Sequence, residues 1–349
     1  MARCDWNVSS VCASQSHQKG LKGDMKFHIQ HEVWPLKGIF RIARGARTQA
    51  KIVSVRLEHH GFVGRGECVP YARYEEDCDS VMAQLEAVRV QVEAGIDIEG
   101  CQSLLPAGAA RNALDCALWD LMAKTHNQPV WKIAGLPEPK PLVTAFTISL
   151  DTPEAMTQAA LAAAGRPILK VKIGGEQDLD CVRAVAKARP DARLIVDANE
   201  GMQPDTLPGL LEEARSLNID VVEQPFAASK DSRLGQVAAP IAICADESFH
   251  TSADIELLVQ NYDAVNVKLD KTGGFTEALK SIREARAAGL KVMMGCMVGT
   301  SLVTAPAVLL AQLADWVDLD GPLLLDQDRD PSLFYEGSIL HPPSRDLWG

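Results

Sequence analysis

Five short apolar runs between residues 168 and 268 of this chain end in residues able to do chemistry. ILKVK closes on Lys170 and Lys172, and LIVDAN on Asp197 and Asn199. VVEQP carries Glu223, ICADES carries Asp246 and Glu247, and VNVK closes on Lys268. Counted onward from Lys172 the intervals are 25, 26, 23 and 22 residues, each the length of one strand–helix unit. Polar residues that close successive parallel strands project into one mouth. Three carboxylates from consecutive strands, Asp197, Glu223 and Asp246, form a hard, all-oxygen donor set. Mg²⁺ suits such a set, with coordination positions left for water or a substrate carboxylate. Without a cation the three would repel, and some would protonate. Taken singly, each is as readily a helix N-cap or an ion-pair partner. Three in register, flanked by lysines on both sides, favour the metal.

Lys172 lies one strand before the carboxylates and Lys268 one strand after them. In a closed barrel this puts the two amines on opposite sides of the metal. A substrate carboxylate bound there would hold its α-carbon between them. Removing the α-proton gives an enediolate, whose extra negative charge the metal and nearby cations stabilise. One lysine takes a proton from one face and the other returns one to the opposite face, which is racemisation or epimerisation. A lysine base needs its pKa lowered toward the working pH by burial or a neighbouring cation. Lys170 shares a strand face with Lys172 and is the natural like-charge neighbour, or else an ion-pair partner of the carboxylates.

These residues need a frame, and the rest of the sequence describes one. Eight apolar runs follow Pro141: LVTAFTIS, PILKVKI, ARLIVDA, IDVVEQP, IAICADE, AVNVKLD, KVMMGCM and WVDLDGP. Helix-length segments separate them. Their start signals are Asp151-Thr152 before Pro153, Asp205, and Ser252, and Gly289 is a stop. The pattern predicts an α/β fold with a parallel (β/α) barrel after Pro141. An open doubly wound sheet is the alternative, but no GxGxxG follows the first strand. From Met25 onward, before the barrel, the chain reads as strands followed by helices, an α+β segment. Residues 1–24 are polar and aperiodic and read as a disordered leader.

The chain has 349 residues, with 35 basic and 46 acidic side chains and a net charge of −11. That balance argues against nucleic-acid and anionic-membrane partners. The nine cysteines are scattered without CxxC spacing, as reduced thiols of a cytoplasmic protein would be. The longest apolar stretch, 302–314, is too short to span a bilayer. None of the eight histidines supplies an obvious base; His250 reads as a loop residue.

Lys170-Val171-Lys172, Asp197-Ala198-Asn199, Glu223-Gln224-Pro225, Asp246-Glu247-Ser248 and Lys268-Leu269-Asp270 with Gly273-Gly274 together resemble the enolase superfamily, muconate-lactonising-enzyme subgroup. Sites of that superfamily use a Lys or His base with Mg²⁺. The likeness spans residues 25–340. It implies an α+β capping domain over 25–130, to which the C-terminal tail 326–349 returns, and a modified (β/α) barrel over 131–325. A narrower likeness joins it: Asp318-Leu319-Asp320-Gly321-Pro322 resembles the DxD motif of dipeptide epimerases, those acting on L-Ala-D/L-Glu. FRIARG (40–45), GECVPYARY (66–74), LPAGAARNALDCALWDL (105–121) and GCM (295–297) resemble the same family. There the two aspartates hold the free α-ammonium of the dipeptide, and two carboxylates at i, i+2 can grip one ammonium.

By the same matching, Thr147 and Lys170 touch substrate and Cys296 contributes through its backbone. Arg44 or Arg47 of the capping loop meets the glutamate side chain. Lys172 serves the D centre and Lys268 the L centre, in murein peptide metabolism. A small dipeptide is then the partner, with a homo-oligomer left open. The rivals are a cycloisomerase or o-succinylbenzoate synthase-type lyase, whose substrates carry no ammonium, and a non-catalytic barrel that only binds.

Overall fold

The computed structural model describes residues 25–237 and 239–349. The expected leader, with Cys4 and Cys12, lies outside the described residues. The capping part begins with the antiparallel strands β1 (Lys26–Ile42), β2 (Gly45–His59) and β3 (Phe62–Cys68). Five helices follow: α1 (Cys78–Ala87), α2 (Arg89–Glu93), α3 (Ile98–Leu104), α4 (Ala109–Thr125) and α5 (Val130–Ile133). Asp77 starts α1 with a reciprocal capping box to Ser80. Helix α4 is buried on nearly every side, as a helix wedged between two layers must be. One side lies against β3, where a Cβ on Gly64 or Gly66 would collide with the α4 backbone, so glycine permits the close approach. The other reaches the barrel: Arg111 donates to the carbonyls of Thr272 and Gly273 at 2.6 and 3.1 Å.

After the short strand β4 (Leu142–Val143) comes the barrel. Its strands and helices are β5 (Phe146–Ile148), α6 (Pro153–Ala162), β6 (Ile168–Lys172), α7 (Asp178–Ala188), β7 (Arg193–Asp197), α8 (Thr206–Glu213) and β8 (Ile219–Glu223). They continue as β9 (Ala242–Ala245), α9 (Ile255–Leu258), β10 (Ala264–Val267), α10 (Leu269–Thr272), α11 (Phe275–Ala287), β11 (Lys291–Gly295), α12 (Ser301–Leu310) and β12 (Trp316–Asp318). The eight strands β5–β12 are parallel neighbours in chain order. Ala145 N donates to Val317 O at 2.8 Å and brings the two ends together. Inside the barrel, Ala145, Ile168, Ile195, Val221, Ala242, Cys244, Ala264, Met293 and Trp316 pack as one cluster. This plug leaves chemistry to the layer above it.

Two of the expected helix signals operate, while Asp205 stands at the start of α8 without a side-chain cap bond. Thr152 caps α6 by accepting from Ala155 N, with Pro153 in the first turn, and Gly289 adopts φ +86° after α11. Ser252 is not the cap of its segment. Thr251 takes that place in a box with Asp254, whose carboxylate accepts both His250 N and Thr251 N. Between β8 and β9 the connection is a 3-10 segment, Ala228–Gln236, where a helix was expected.

The chain ends with β13 (Tyr335–Glu336) and β14 (Ile339–Leu340), which pairs with β4. Trp348 is buried, and its indole donates to Cys116 O of α4 at 3.0 Å. Arg329 stitches this tail to both parts: it donates to Glu67 of β3 at 2.7 Å and Glu32 of β1 at 3.1 Å in the cap, and to Thr300 Oγ1 of the barrel at 2.8 Å. Glu67 is itself buried and accepts from Thr300 at the start of α12. Arg329→Ala would leave that carboxylate buried without its cation. We expect a loss of about 3–5 kcal/mol, read by urea unfolding; a loss under about 1 kcal/mol would show that Glu67 needs no counter-charge.

Candidate active site

The strand register builds the site. Lys172, Asp197 and Glu223 pair across β6, β7 and β8 at one level, and Glu223 pairs with Cys244 of β9, two residues before Asp246. Lys268 follows the last residue of β10. Strands β6 and β10 are four steps apart in an eight-stranded barrel, so Lys172 and Lys268 face each other across it. Asp197, Glu223 and Asp246 are all buried, as are Lys170, Lys172 and Lys268.

The ammonium groups lie between the carboxylates. Lys172 Nζ is 2.6 Å from Asp197 Oδ2, and Lys268 Nζ is 2.6 Å from Asp246 Oδ2. Lys170 Nζ is 3.0 Å from Asp197, 2.8 Å from Glu223 and 2.6 Å from Asp318. Among the described residues, no three Asp, Glu, His or Cys groups stand as a ready cage for a metal. The donor chemistry nonetheless fits a hard dication. Oε2 of Glu247 is buried without a hydrogen bond, and Oε2 of Glu223 meets only the Lys170 ammonium, at 2.8 Å.

The charges settle accordingly. Burial opposes ionisation throughout. Against it, Lys170 and Lys172 hold Asp197 below the usual carboxylate range, and Lys268 and Lys271 do the same for Asp246. Glu223 goes the other way: burial and the charge of Asp197 push it up to about 7. Burial pulls Lys170 and Lys268 down, but the surrounding carboxylates prevail and hold both ammonium groups well above the usual range. At Lys268 the carboxylates, Asp246 foremost, outweigh the like charge of Lys170 and hold the side chain as an ammonium.

The DxD pair lies beside this cluster. Asp318 and Asp320 are both buried. Asp318 gives Oδ2 to Lys170, and its Oδ1 is buried without a partner. Asp320 accepts from Thr147 N at 2.7 Å, and burial with the charge of Asp318 raises it to about 6. Thr147 is thus placed to orient Asp320. Cys296 lines the cavity, where burial and the two aspartates push its thiol far up and keep it neutral.

The capping loop closes the mouth. Phe40, Arg44, Arg47, Tyr71 and Tyr74 line a cavity of about 50 Å³ together with Lys172, Asp246 and Lys268. Arg44 is already engaged: it donates to Glu247 at 2.6 Å, to Asn199 O at 2.7 Å and to Glu200 at 3.2 Å. Ala43 beside it sits against Gly174 and Gly201, where a Cβ on either would crowd it. Arg47 makes no ion pair among the described residues and stands 4.9 Å over the Tyr71 ring. His250 packs edge-on to Tyr74 at 4.9 Å and lines a neighbouring cavity, so it is no candidate base.

Residues 24–135 match the Mandelate racemase / muconate lactonizing enzyme, N-terminal domain, and residues 154–343 match the Enolase C-terminal domain-like family. The chain belongs to the enolase superfamily.

The chain is 45% identical to the L-Ala-D/L-Glu epimerase of Escherichia coli over 315 residues, 90% of this chain and 98% of that protein. It is 42% identical to an N-acetyl-D-glutamate racemase of Pseudoalteromonas, covering 85% of this chain and 95% of that one. A crystal structure of an enolase family member from Agrobacterium tumefaciens, with homology to dipeptide epimerases and bound sodium and L-Ala-L-Glu, superposes with a TM-score of 0.91. It is 48% identical and covers 93% of this chain and all of that one. The enolase-superfamily chain is therefore an isomerase of the racemase and epimerase kind. No helix among the described residues is long and apolar enough to cross a membrane, and the seven cysteines described are free thiols.

Lys271, Tyr71 and Tyr74 join the site without having been expected there. Lys271 had a signal, its place three residues after Lys268; the two tyrosines come from the cap, inside the GECVPYARY stretch, where barrel spacing gave them no role.

Proposed function

We propose that this chain is a Mg²⁺-dependent dipeptide epimerase, acting on L-Ala-D/L-Glu at the C-terminal α-carbon, in cytoplasmic murein peptide metabolism. The working division is a cap of residues 25–130 with tail 326–349 and a barrel of 131–325. The observation that carries the reading is Asp318: a buried carboxylate beside the two-lysine axis, with one oxygen lacking any donor. The α-ammonium of a dipeptide supplies that donor. The substrates of the rival lyases carry no ammonium. Opposed lysines on a buried carboxylate cluster count against a barrel that only binds, since such charges are costly to keep.

Asp197, Glu223 and Asp246 would hold the metal. Bound there, Mg²⁺ would neutralise the substrate carboxylate and compete with the lysines for the same oxygens. Lys172 then removes or returns the proton on the D face, and Lys268 does so on the L face. Asp318 and Asp320 grip the ammonium, with Thr147 orienting Asp320, while Lys170 and the Cys296 segment contact substrate. Arg44 is committed to Glu247, so Arg47 is the residue that meets the glutamate side chain. Replacing Arg47 by alanine should raise KM for L-Ala-L-Glu about 10- to 100-fold and leave L-Ala-L-Leu within about twofold. Equal effects on both dipeptides would remove Arg47 from this role.

The N-acetyl-D-glutamate racemase relative motivates a second substrate, N-acetylglutamate, which keeps the glutamyl amide of the dipeptide but carries no ammonium. The test is proton NMR of L-Ala-L-Glu with enzyme and Mg²⁺ in D₂O. Loss of the glutamyl α-proton with growth of the L,D diastereomer, both abolished by a chelator, is the expected result. Turnover of N-acetylglutamate but not of the dipeptide would overturn the dipeptide assignment.

A further inference from the structure

Lys271 has no place in the chemistry described so far, yet its side chain is fully buried within the catalytic layer. It lies on the single-turn helix α10, three residues after Lys268, with Lys271 N bonded to Lys268 O at 3.0 Å. Its three ammonium protons have three acceptors. One is the carbonyl of Asp246, one is Asp246 Oδ1 at 2.6 Å, and one is Asn266 O at 3.0 Å. The Phe249 ring stands 5.5 Å from the same nitrogen.

Asp246 and Asn266 are at the same level on neighbouring strand ends, since Ala264 pairs with Cys244 and Val265 with Ala245. The Lys271 ammonium therefore ties the end of β9 to the end of β10. It also divides the Asp246 carboxylate: Oδ1 goes to Lys271 and Oδ2 to Lys268. Gln224 holds the same residue from the other side, its Oε1 accepting Asp246 N at 2.8 Å. Asp246 is thus fixed at its amide, its carbonyl and one carboxylate oxygen. On the Lys172 side no single ammonium bridges carbonyl and carboxylate: the Asp197 carbonyl accepts Ile173 N at 2.9 Å, Oδ1 accepts the backbone N of Asn199, and Oδ2 is shared by Lys170 and Lys172, both of which belong to β6.

We propose that Lys271 is a positioning residue for one half of the reaction: it orients the Asp246 carboxylate toward the metal and sets Lys268, and not Lys172, at its working distance from the substrate. The inference rests on the two-lysine reading above. A residue that only filled space in the core would affect both lysines alike. One that aims Asp246 and Lys268 must affect the L face more than the D face, and must also loosen the metal.

The test compares Lys271→Met with the full-length wild-type enzyme. Exchange of the glutamyl α-proton in D₂O is followed separately from L-Ala-L-Glu and from L-Ala-D-Glu, and Mg²⁺ affinity is read by titration calorimetry without substrate. Exchange from the L,L dipeptide should fall at least about tenfold more than exchange from the L,D dipeptide, and the Mg²⁺ Kd should weaken about 10- to 100-fold. An L-to-D exchange ratio moved by less than about tenfold, or an unchanged Kd, overturns the proposal. Thermal unfolding checks the fold. Lys271→Gln keeps two N–H donors, and if the methionine variant does not fold it takes its place in the same comparison, decided by the same two thresholds. Lys271→Arg should restore part of the ratio. If Lys172→Ala and Lys268→Ala show no opposite face preference, the two-lysine reading has failed. If they do and Lys271→Met leaves the ratio in place, only the present inference has failed.

Discussion

Lys172→Ala is expected to lose epimerisation in both directions by about 10²- to 10⁴-fold while still exchanging the α-proton of the L-glutamyl centre with solvent. Lys268→Ala should do the converse, losing net epimerisation but exchanging the D centre. The asymmetry follows from the barrel. Strands β6 and β10 lie opposite one another, so each amine reaches one face of the α-carbon and neither can substitute for the other. Inverting the centre needs both lysines; exchanging it needs one. Following each dipeptide by NMR in D₂O separates the two. A Lys172→Ala enzyme that epimerised at the wild-type rate would end the mechanism, and one that exchanged neither centre would show that Lys172 has a role beyond its own face.

The second large effect belongs to Asp318. Asparagine there keeps the shape and removes the charge that would face the ammonium. Truncating one partner of a buried, hydrogen-bonded charge pair costs about 2–5 kcal/mol, so kcat/KM for L-Ala-L-Glu should fall about 30- to 5,000-fold. The same change also takes a counter-charge from Lys170 at 2.6 Å, which would slow any substrate. The ratio isolates the recognition term: Asp318→Asn should lose far more activity on the free dipeptide than on its N-acetyl derivative. Equal losses would mean that Asp318 acts through Lys170 and not on the ammonium.

Much of this site was legible in the sequence because barrels are periodic. A strand end recurs once per unit, so intervals of 22 to 26 residues between charged positions were enough to place Lys172, Asp197, Glu223, Asp246 and Lys268 in one mouth. The eight apolar runs are the eight strands β5–β12. What could not be read was contact between parts with no common period. Arg44 lies more than two hundred residues from Glu247, and nothing in its spacing announces that pair. The state of the lysines also escaped the pattern, which shows which charges are near but not which partner prevails. Like-charge neighbours predict a depressed amine, whereas Asp246 at 2.6 Å from Lys268 outweighs them. The cap of the segment after β9 moved by one residue, from Ser252 to Thr251, because both types serve equally and only backbone geometry chooses.

The Arg44 contacts have a kinetic meaning. The guanidinium grips Glu247, adjacent to Asp246, and the carbonyl of Asn199, two residues beyond Asp197. One side chain of the cap therefore fastens onto the two strand ends that carry opposite edges of the carboxylate cluster. A cavity of about 50 Å³ cannot admit a dipeptide, so this fastening must be undone for each arrival and each departure. Epimerisation is nearly thermoneutral, so a bound molecule is driven strongly in neither direction. With release of the guanidinium as the slow step, we expect the site to behave as a turnstile, in which a bound molecule crosses between its two configurations several times per visit. Solvent viscosity should then slow the observed rate more than deuteration of the substrate does.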